Sequence, residues 1–231
     1  MAEWQQEHAC YSGAAMEFDV VSLDLDCLAS VRRCATTLLT SYNSLDILVN
    51  NAGLFRMGVA QRTTTADGYE SHFGVNYLAP YLLSNLLLPA LQRSTNGQPR
   101  IVNVSSKVHC ISRVVLDDIN FEKNYTPGQA YSRSKLAQIM FTSELQARLP
   151  VSSSVKVLSL HPGNVLTDVS RDLHWVMVYL WHNLVHFMFL TPREGAMTTL
   201  VAATDPDLAG ANQTSCLQVV LHSRCCPRVS Q

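Results

Sequence analysis

Three runs in this chain are apolar almost continuously: LDILVN (45–50), RIVNVSS (100–106) and VKVLSLHPG (155–163). A strand with one face in water alternates apolar and polar residues. A strand that does not alternate needs cover on both faces, as in a parallel sheet flanked by helices. EFDVVSLDL (17–25) reads as a fourth buried strand of this kind. Helical stretches fall between them. Residues 28–40 carry apolar side chains at 28, 31, 35, 38 and 39, and residues 67–91 form a long helical region bent near Pro80. Residues 130–149 are helical, and Pro192 opens a last helix through GAMTTLVAAT. Strands alternating with helices predict an α/β fold, a Rossmann-like doubly wound parallel sheet.

Composition agrees with one domain spanning 1–231, since 47% of the 231 residues are hydrophobic and no linker or repeat interrupts them. The formal net charge is −1 with both signs interspersed, which argues against a nucleic-acid partner. Seven scattered cysteines, an odd number without a CxxC, fit a reducing compartment better than a disulfide framework. The opening MAEWQQEHAC is polar and acidic, unlike a secretory signal. The sequon at Asn103 lies inside an apolar strand and reads as accidental.

LHWVMVYLWHNLVHFMFL (173–190) is apolar enough to raise the membrane question. It contains His174, His182 and His186 and is flanked by Arg171 and Arg193. Three readings stand: a helix covering a substrate pocket, an interfacial helix, or a span. The first two imply a cytoplasmic protein, or one bound peripherally to a membrane on its cytosolic side. No third ligand accompanies the His182/His186 pair, so no metal is assigned.

In parallel sheets ligands bind beyond the carboxyl ends of the strands. Asp24, Asn50-Asn51-Ala52-Gly53, Ser105-Ser106 and His161-Pro162-Gly163-Asn164 end the expected strands and share one rim. Tyr131 and Lys135, four apart on a helix, are neighbours on its face. By themselves they fit a lysine stem packed over a ring. With Ser106 at the end of the preceding strand they fit a proton-transfer centre for an alcohol or carbonyl. Lys135 would lower the phenol pKa, Tyr131 would exchange the proton, and Ser106 would hold the same oxygen. A hydride would have to come from a cofactor.

NNAG at 50–53, Asn76 in FGVNYLAP, IVNVSS, YSRSK at 131–135 and HPGNVLTD at 161–168 together resemble the motifs of short-chain dehydrogenases/reductases. Order and spacing match over about residues 17–205. Further runs are similar to the retinol dehydrogenase-like and WW-domain oxidoreductase-like branch. The resemblance implies a catalytic tetrad of Asn76, Ser106, Tyr131 and Lys135, with Asn76 supporting a proton-relay water and Lys135 also holding the nicotinamide ribose. It implies an NAD or NADP site touched by Asp24 at the adenine, by Asn51, Ala52 and Gly53, and by Pro162, Gly163, Val165 and Thr167 around the nicotinamide and pyrophosphate. Asn50 is either a ligand contact or a tie between strands.

The family's first strand, its TGxxxGIG loop and its second strand have no counterpart here, and residues 206–231 diverge apart from a faint match at LQVVL. The loop holds the cofactor pyrophosphate. The chain therefore reads as a shortened member with apolar sheet edges uncovered. Two functions follow. One is an NAD(P)-dependent oxidoreductase for a hydrophobic alcohol or carbonyl of retinoid, steroid or lipid-aldehyde type, possible as a homo-oligomer. The other is an inactive variant that associates with full-length subunits.

Overall fold

The computed structural model describes residues 17–56, 58–95, 97–163 and 190–209, together with two short strands at 219–220 and 228–229. Its centre is a parallel sheet of β1 (Ile47–Asn50), β2 (Arg100–Val104) and β3 (Lys156–Leu160) in that order. The register sets Leu48 beside Ile101 and Ile101 beside Val157. Among the described residues the α-helices are α1 (Leu28–Ser41), the short α2 (Ser71–Phe73), α3 (Ala79–Gln92), α4 (Pro127–Arg148) and α5 (Pro192–Thr204).

Both faces of β2 and β3 are covered, as their continuous apolar runs require. Ile101 and Val157 point to α3 and α4 and pack with Leu91, Phe141 and Leu145. Their neighbours Val102, Val104, Leu158 and Leu160 point the other way and meet Ala202 and Ala203 of α5. Each fully buried aliphatic side chain contributes roughly 1.5–3 kcal/mol relative to exposure. α1 packs on α3 through Val31, Ala35, Leu83 and Leu87. Arg100, 3% exposed, fastens the end of α5 by donating to the carbonyls of Ala202 (2.8 Å) and Asp205 (2.5 Å). Those are carbonyls that a helix leaves without an internal partner.

Local sequence explains the helix boundaries. Thr126 caps α4 by accepting the Gln129 N–H, with Pro127 following. Thr191 and Glu194 form a reciprocal capping box at the start of α5, with Pro192 between them. The expected bend near Pro80 is a π-helical turn over Gly74–Leu78, which places Asn76 in its middle.

One expected strand is absent. Residues 17–25 form no strand, and Phe18, Val20 and Leu23 are exposed. An extended segment becomes a strand only where a neighbour takes its N–H and C=O groups, and no described strand lies alongside this one. β1 stands at the edge of the described sheet, and its Ile47 and Val49 side chains are exposed. In the divergent tail, Val219–Val220 pairs antiparallel with Arg228–Val229 rather than joining the main sheet. The apolar segment 173–190 lies, but for Leu190, outside the described residues; among those residues no helix is long and apolar enough to cross a membrane.

Asn103 is 1% exposed, which removes its sequon from consideration as a surface site. Its Oδ1 accepts from Asn50 Nδ2 at 2.8 Å, and its Nδ2 donates to Thr142 Oγ1 at 2.9 Å. Asn50 also donates to Ser84 Oγ at 2.9 Å. Of the two roles open to Asn50, the tie between strands is the one its side chain fills. Asn103→Ala strands both partners in the interior and is expected to lower unfolding free energy by about 2–4 kcal/mol in urea titrations. A loss below about 1 kcal/mol would mean that this polar ladder does not hold the sheet to α3 and α4.

Candidate active site

Three consecutive residues at the end of β2 hold one turn of α4. The Val104 carbonyl accepts from Lys135 Nζ at 2.9 Å. Ser105 Oγ donates to the Lys135 carbonyl at 2.8 Å. The Ser106 side chain lies close enough to the Tyr131 phenol to lower its pKa. Side chains alternate faces along a strand, so Ser105 and Ser106 cannot both reach α4 from a regular one. β2 ends at Val104, and Ser106 caps a 3-10 turn over Lys107–Ile111, which carries its hydroxyl to the rim.

Asn76 meets the same place from the other side. Its Oδ1 accepts the Leu54 N–H at 2.6 Å, and its Nδ2 donates to the Leu54 carbonyl (2.9 Å) and to Ser134 Oγ (3.0 Å). It is fully buried. The loop after β1 is thereby pinned to α4 one residue before Lys135. Gly53 sits in the junction: a Cβ there would lie 3.2 Å from Asn76 Oδ1 and 3.5 Å from Lys135 Nζ. The NAG turn needs glycine for this close approach, not for an unusual φ.

The electrostatics depart from expectation at one point. Burial pushes the Tyr131 phenol above its ordinary value, and the Ser106 side chain only partly opposes it. The anticipated lowering by Lys135 does not occur. The ammonium turns under the strand end to Val104 and lies 5.7 Å from the centre of the Tyr131 ring. Lys135 itself is 5% exposed, and burial lowers its pKa to about 8.

The remaining sequence-derived positions divide. Asn51, Ala52 and Gly53 line an open, exposed turn after β1. Pro162 and Gly163 follow β3, with Gly163 at φ +88°, where a Cβ would lie 2.5 Å from Leu190 Cδ1. Asp24 is exposed and accepts the Asp26 N–H at 2.9 Å as part of the turn into α1. Val165 and Thr167 lie outside the described residues. Sequence reasoning missed Phe55, whose ring stands 4.4 Å from that of Tyr131, and the buried Glu70 and His72. A buried histidine in an apolar helix has the pattern of a core residue, and only the E-x-H spacing before Asn76 hinted otherwise.

The shift at Lys135 sets a pH dependence. Between about pH 8, its folded-state value, and about 10.4, the ordinary lysine value, the unfolded chain binds a proton that the folded chain lacks. The penalty for the buried charge is complete below this window and fades as pH rises through it. Relative to Lys135→Met, the wild type should gain about 3 kcal/mol of unfolding free energy across the window, read from urea titrations at a series of pH values. A constant difference would show that Lys135 is not desolvated.

Comparison with known proteins identifies the family. The family model described as short chain dehydrogenase matches residues 2–175. A dehydrogenase/reductase SDR family member named FEY from Arabidopsis thaliana is 42% identical over 212 residues, 89% of this chain and 54% of that protein. Retinol dehydrogenase 14 from Homo sapiens is 43% identical over 198 residues, 85% of this chain and 57% of that protein. The chain thus spans about half the length of the curated relatives it matches. Among solved structures, an uncharacterized protein from Mycobacterium paratuberculosis superposes with a TM-score of 0.64 at 36% identity, covering 87% of this chain and 62% of its own. An NADPH-bound carbonyl reductase from chicken fatty liver shares the fold, with a TM-score of 0.58 at 21% identity over 87% of this chain and 74% of that one. The chain belongs to the short-chain dehydrogenase/reductase family, among relatives that include retinol dehydrogenases.

Proposed function

We propose that the protein is an NAD(P)-dependent oxidoreductase that interconverts a hydrophobic alcohol and its carbonyl. The observation that carries this reading is the convergence of Ser106, Tyr131, Lys135 and Asn76 at the end of β2. The nicotinamide end of a cofactor fits the residues present. Gly53 leaves room that any side chain would fill, and Lys135 has two N–H groups beyond the one given to Val104. Asn51, Ala52, Gly53, Pro162 and Gly163 would line its path. When bound, NAD(P)H supplies the hydride.

Tyr131 gives its proton to the substrate oxygen as the carbonyl is reduced, and Ser106 donates a hydrogen bond to that oxygen. With its pKa above the ordinary phenol value, Tyr131 is in the protonated form that a donor starts from. Lys135 holds the ribose and returns a proton to the phenol. Asn76 serves the relay through its carbonyl, because its side chain is committed to Leu54 and Ser134. Pro80, four residues on, has no N–H to take that carbonyl. The relatives named retinol dehydrogenase and polyprenol dehydrogenase support a long apolar substrate, as does the composition of 173–190. That segment also supports peripheral contact with a membrane from the cytosolic side.

The second reading is association with a full-length subunit, without catalysis by this chain. It is favoured by the edge position of β1 in the described sheet and by the exposed Ile47 and Val49 side chains. A fluorescence titration with NADPH and NADH separates the two, since only the first requires saturable binding. Under the first, Tyr131→Phe keeps cofactor affinity while turnover of an apolar aldehyde falls by about 10²–10⁴. Near-normal turnover in that variant would reduce Tyr131 to packing.

A further inference from the structure

The proposed reaction leaves a buried pair beside Tyr131 without a role. Glu70 and His72 are each 1% exposed, with Oε1 and Nδ1 2.8 Å apart. Glu70 closes the start of α2, Oε1 accepting the His72 N–H at 3.0 Å and Oε2 the Phe73 N–H at 2.8 Å. At the other side of the imidazole, Nε2 lies 3.1 Å from the backbone nitrogen of Arg56. A backbone N–H can only donate, so Nε2 holds the lone pair. Nδ1 therefore carries the proton and donates it to Glu70. Burial pushes the Glu70 carboxyl up, but the bonds from His72 and Phe73 outweigh it and leave its pKa below the ordinary value, so the acceptor is a carboxylate.

The bond to Arg56 bears on the active site through the residue before it. Phe55 lies against Tyr131 with ring centres 4.4 Å apart and planes inclined at 59°. The imidazole of His72 itself meets the Tyr131 ring edge-on at 6.1 Å. Leu54 is held by Asn76 through both its N–H and its carbonyl. The loop is thus fastened on either side of Phe55, at Leu54 and at Arg56.

We propose that Glu70 and His72 are positioning residues that hold Phe55 over Tyr131 and keep water from its phenol. This rests on the reading of Tyr131 as the proton donor. Exclusion of water raises the pKa of such a phenol. A helix cap alone would need only the Glu70 carboxylate, and would be indifferent to what Nε2 touches.

The test uses the full chain and needs no cofactor. The tyrosinate absorbance titration of the protein, less that of Tyr131→Phe, isolates the Tyr131 phenol. His72→Asn keeps a polar group near Glu70 but is too short to reach Arg56. His72→Gln can set its amide oxygen where Nε2 stood. Both changes leave in place Lys135, 5.7 Å from the ring centre, and Glu70 beside residue 72. The expected result is an elevated midpoint in the wild type, most of that elevation lost in His72→Asn and most kept in His72→Gln. An unchanged midpoint in His72→Asn, or a fall in His72→Gln as large as in His72→Asn, overturns the proposal. Nitrogen-15 spectra of the wild-type imidazole provide a second measurement that does not depend on a variant folding. The proton is expected on Nδ1, and a proton on Nε2 overturns the proposal. Failure of the catalytic reading shows separately, as undiminished turnover in Tyr131→Phe.

Discussion

Lys135 brings a cation into the interior, and the active-site geometry follows from how that charge is accommodated. A buried ammonium without partners would cost several kcal/mol. Here the Val104 carbonyl meets it where β2 stops. Because the strand ends at that point, the next two residues are free to leave the pleat. Ser105 turns its hydroxyl to the Lys135 carbonyl and Ser106 turns its own to Tyr131. One strand terminus thus fixes both members of the Tyr–Lys turn, and the parallel register carries the ends of β1 and β3 to the same rim.

The opposite wall depends on an irregular helix. Pro80 removes a donor and Gly74 packs so close to Thr65 that a Cβ would lie 2.4 Å from its methyl carbon. The chain answers with a π turn, a form found mostly at functional sites. Asn76 projects from it into the gap between the NAG loop and α4, where its amide satisfies backbone groups that would otherwise be buried alone. Glu70 and His72 continue the same wall, so that the loop from Gly53 to Arg56 is anchored along its length by side chains from the α2–π segment.

Much of this was legible in the sequence because period and spacing are local properties. Runs such as IVNV and KVLSL lack alternation and had to be covered on both faces. Pro192 marks the start of the last helix by chemistry that acts within one turn, whereas the helix carrying Tyr131 begins at Pro127 behind its Thr126 cap, three residues before the expected start. Tyr131 and Lys135 are four residues apart, and a helix makes that a contact whatever surrounds it. Ser106 could be placed with them because it ends a strand of known direction, whereas Asn76 joined the group only through the family resemblance.

What the tertiary structure decided was everything that depends on dielectric and on neighbours distant in sequence. The apolar run 17–25 has the composition of a strand but pairs with none of the described ones, because a ladder needs a second chain segment to receive its hydrogen bonds. Asn50 became a tie between strands only once Asn103 and Ser84 were beside it. The direction of the Tyr131 shift is the plainest case. Spacing put a cation next to the phenol and so suggested a lowered pKa, whereas packing half-buried the phenol and turned the ammonium to a carbonyl, and desolvation won. The sequence by itself determined which groups meet at the rim. Only the fold decided how much water meets them, since burial belongs to the whole assembly of elements and to no residue's immediate neighbours.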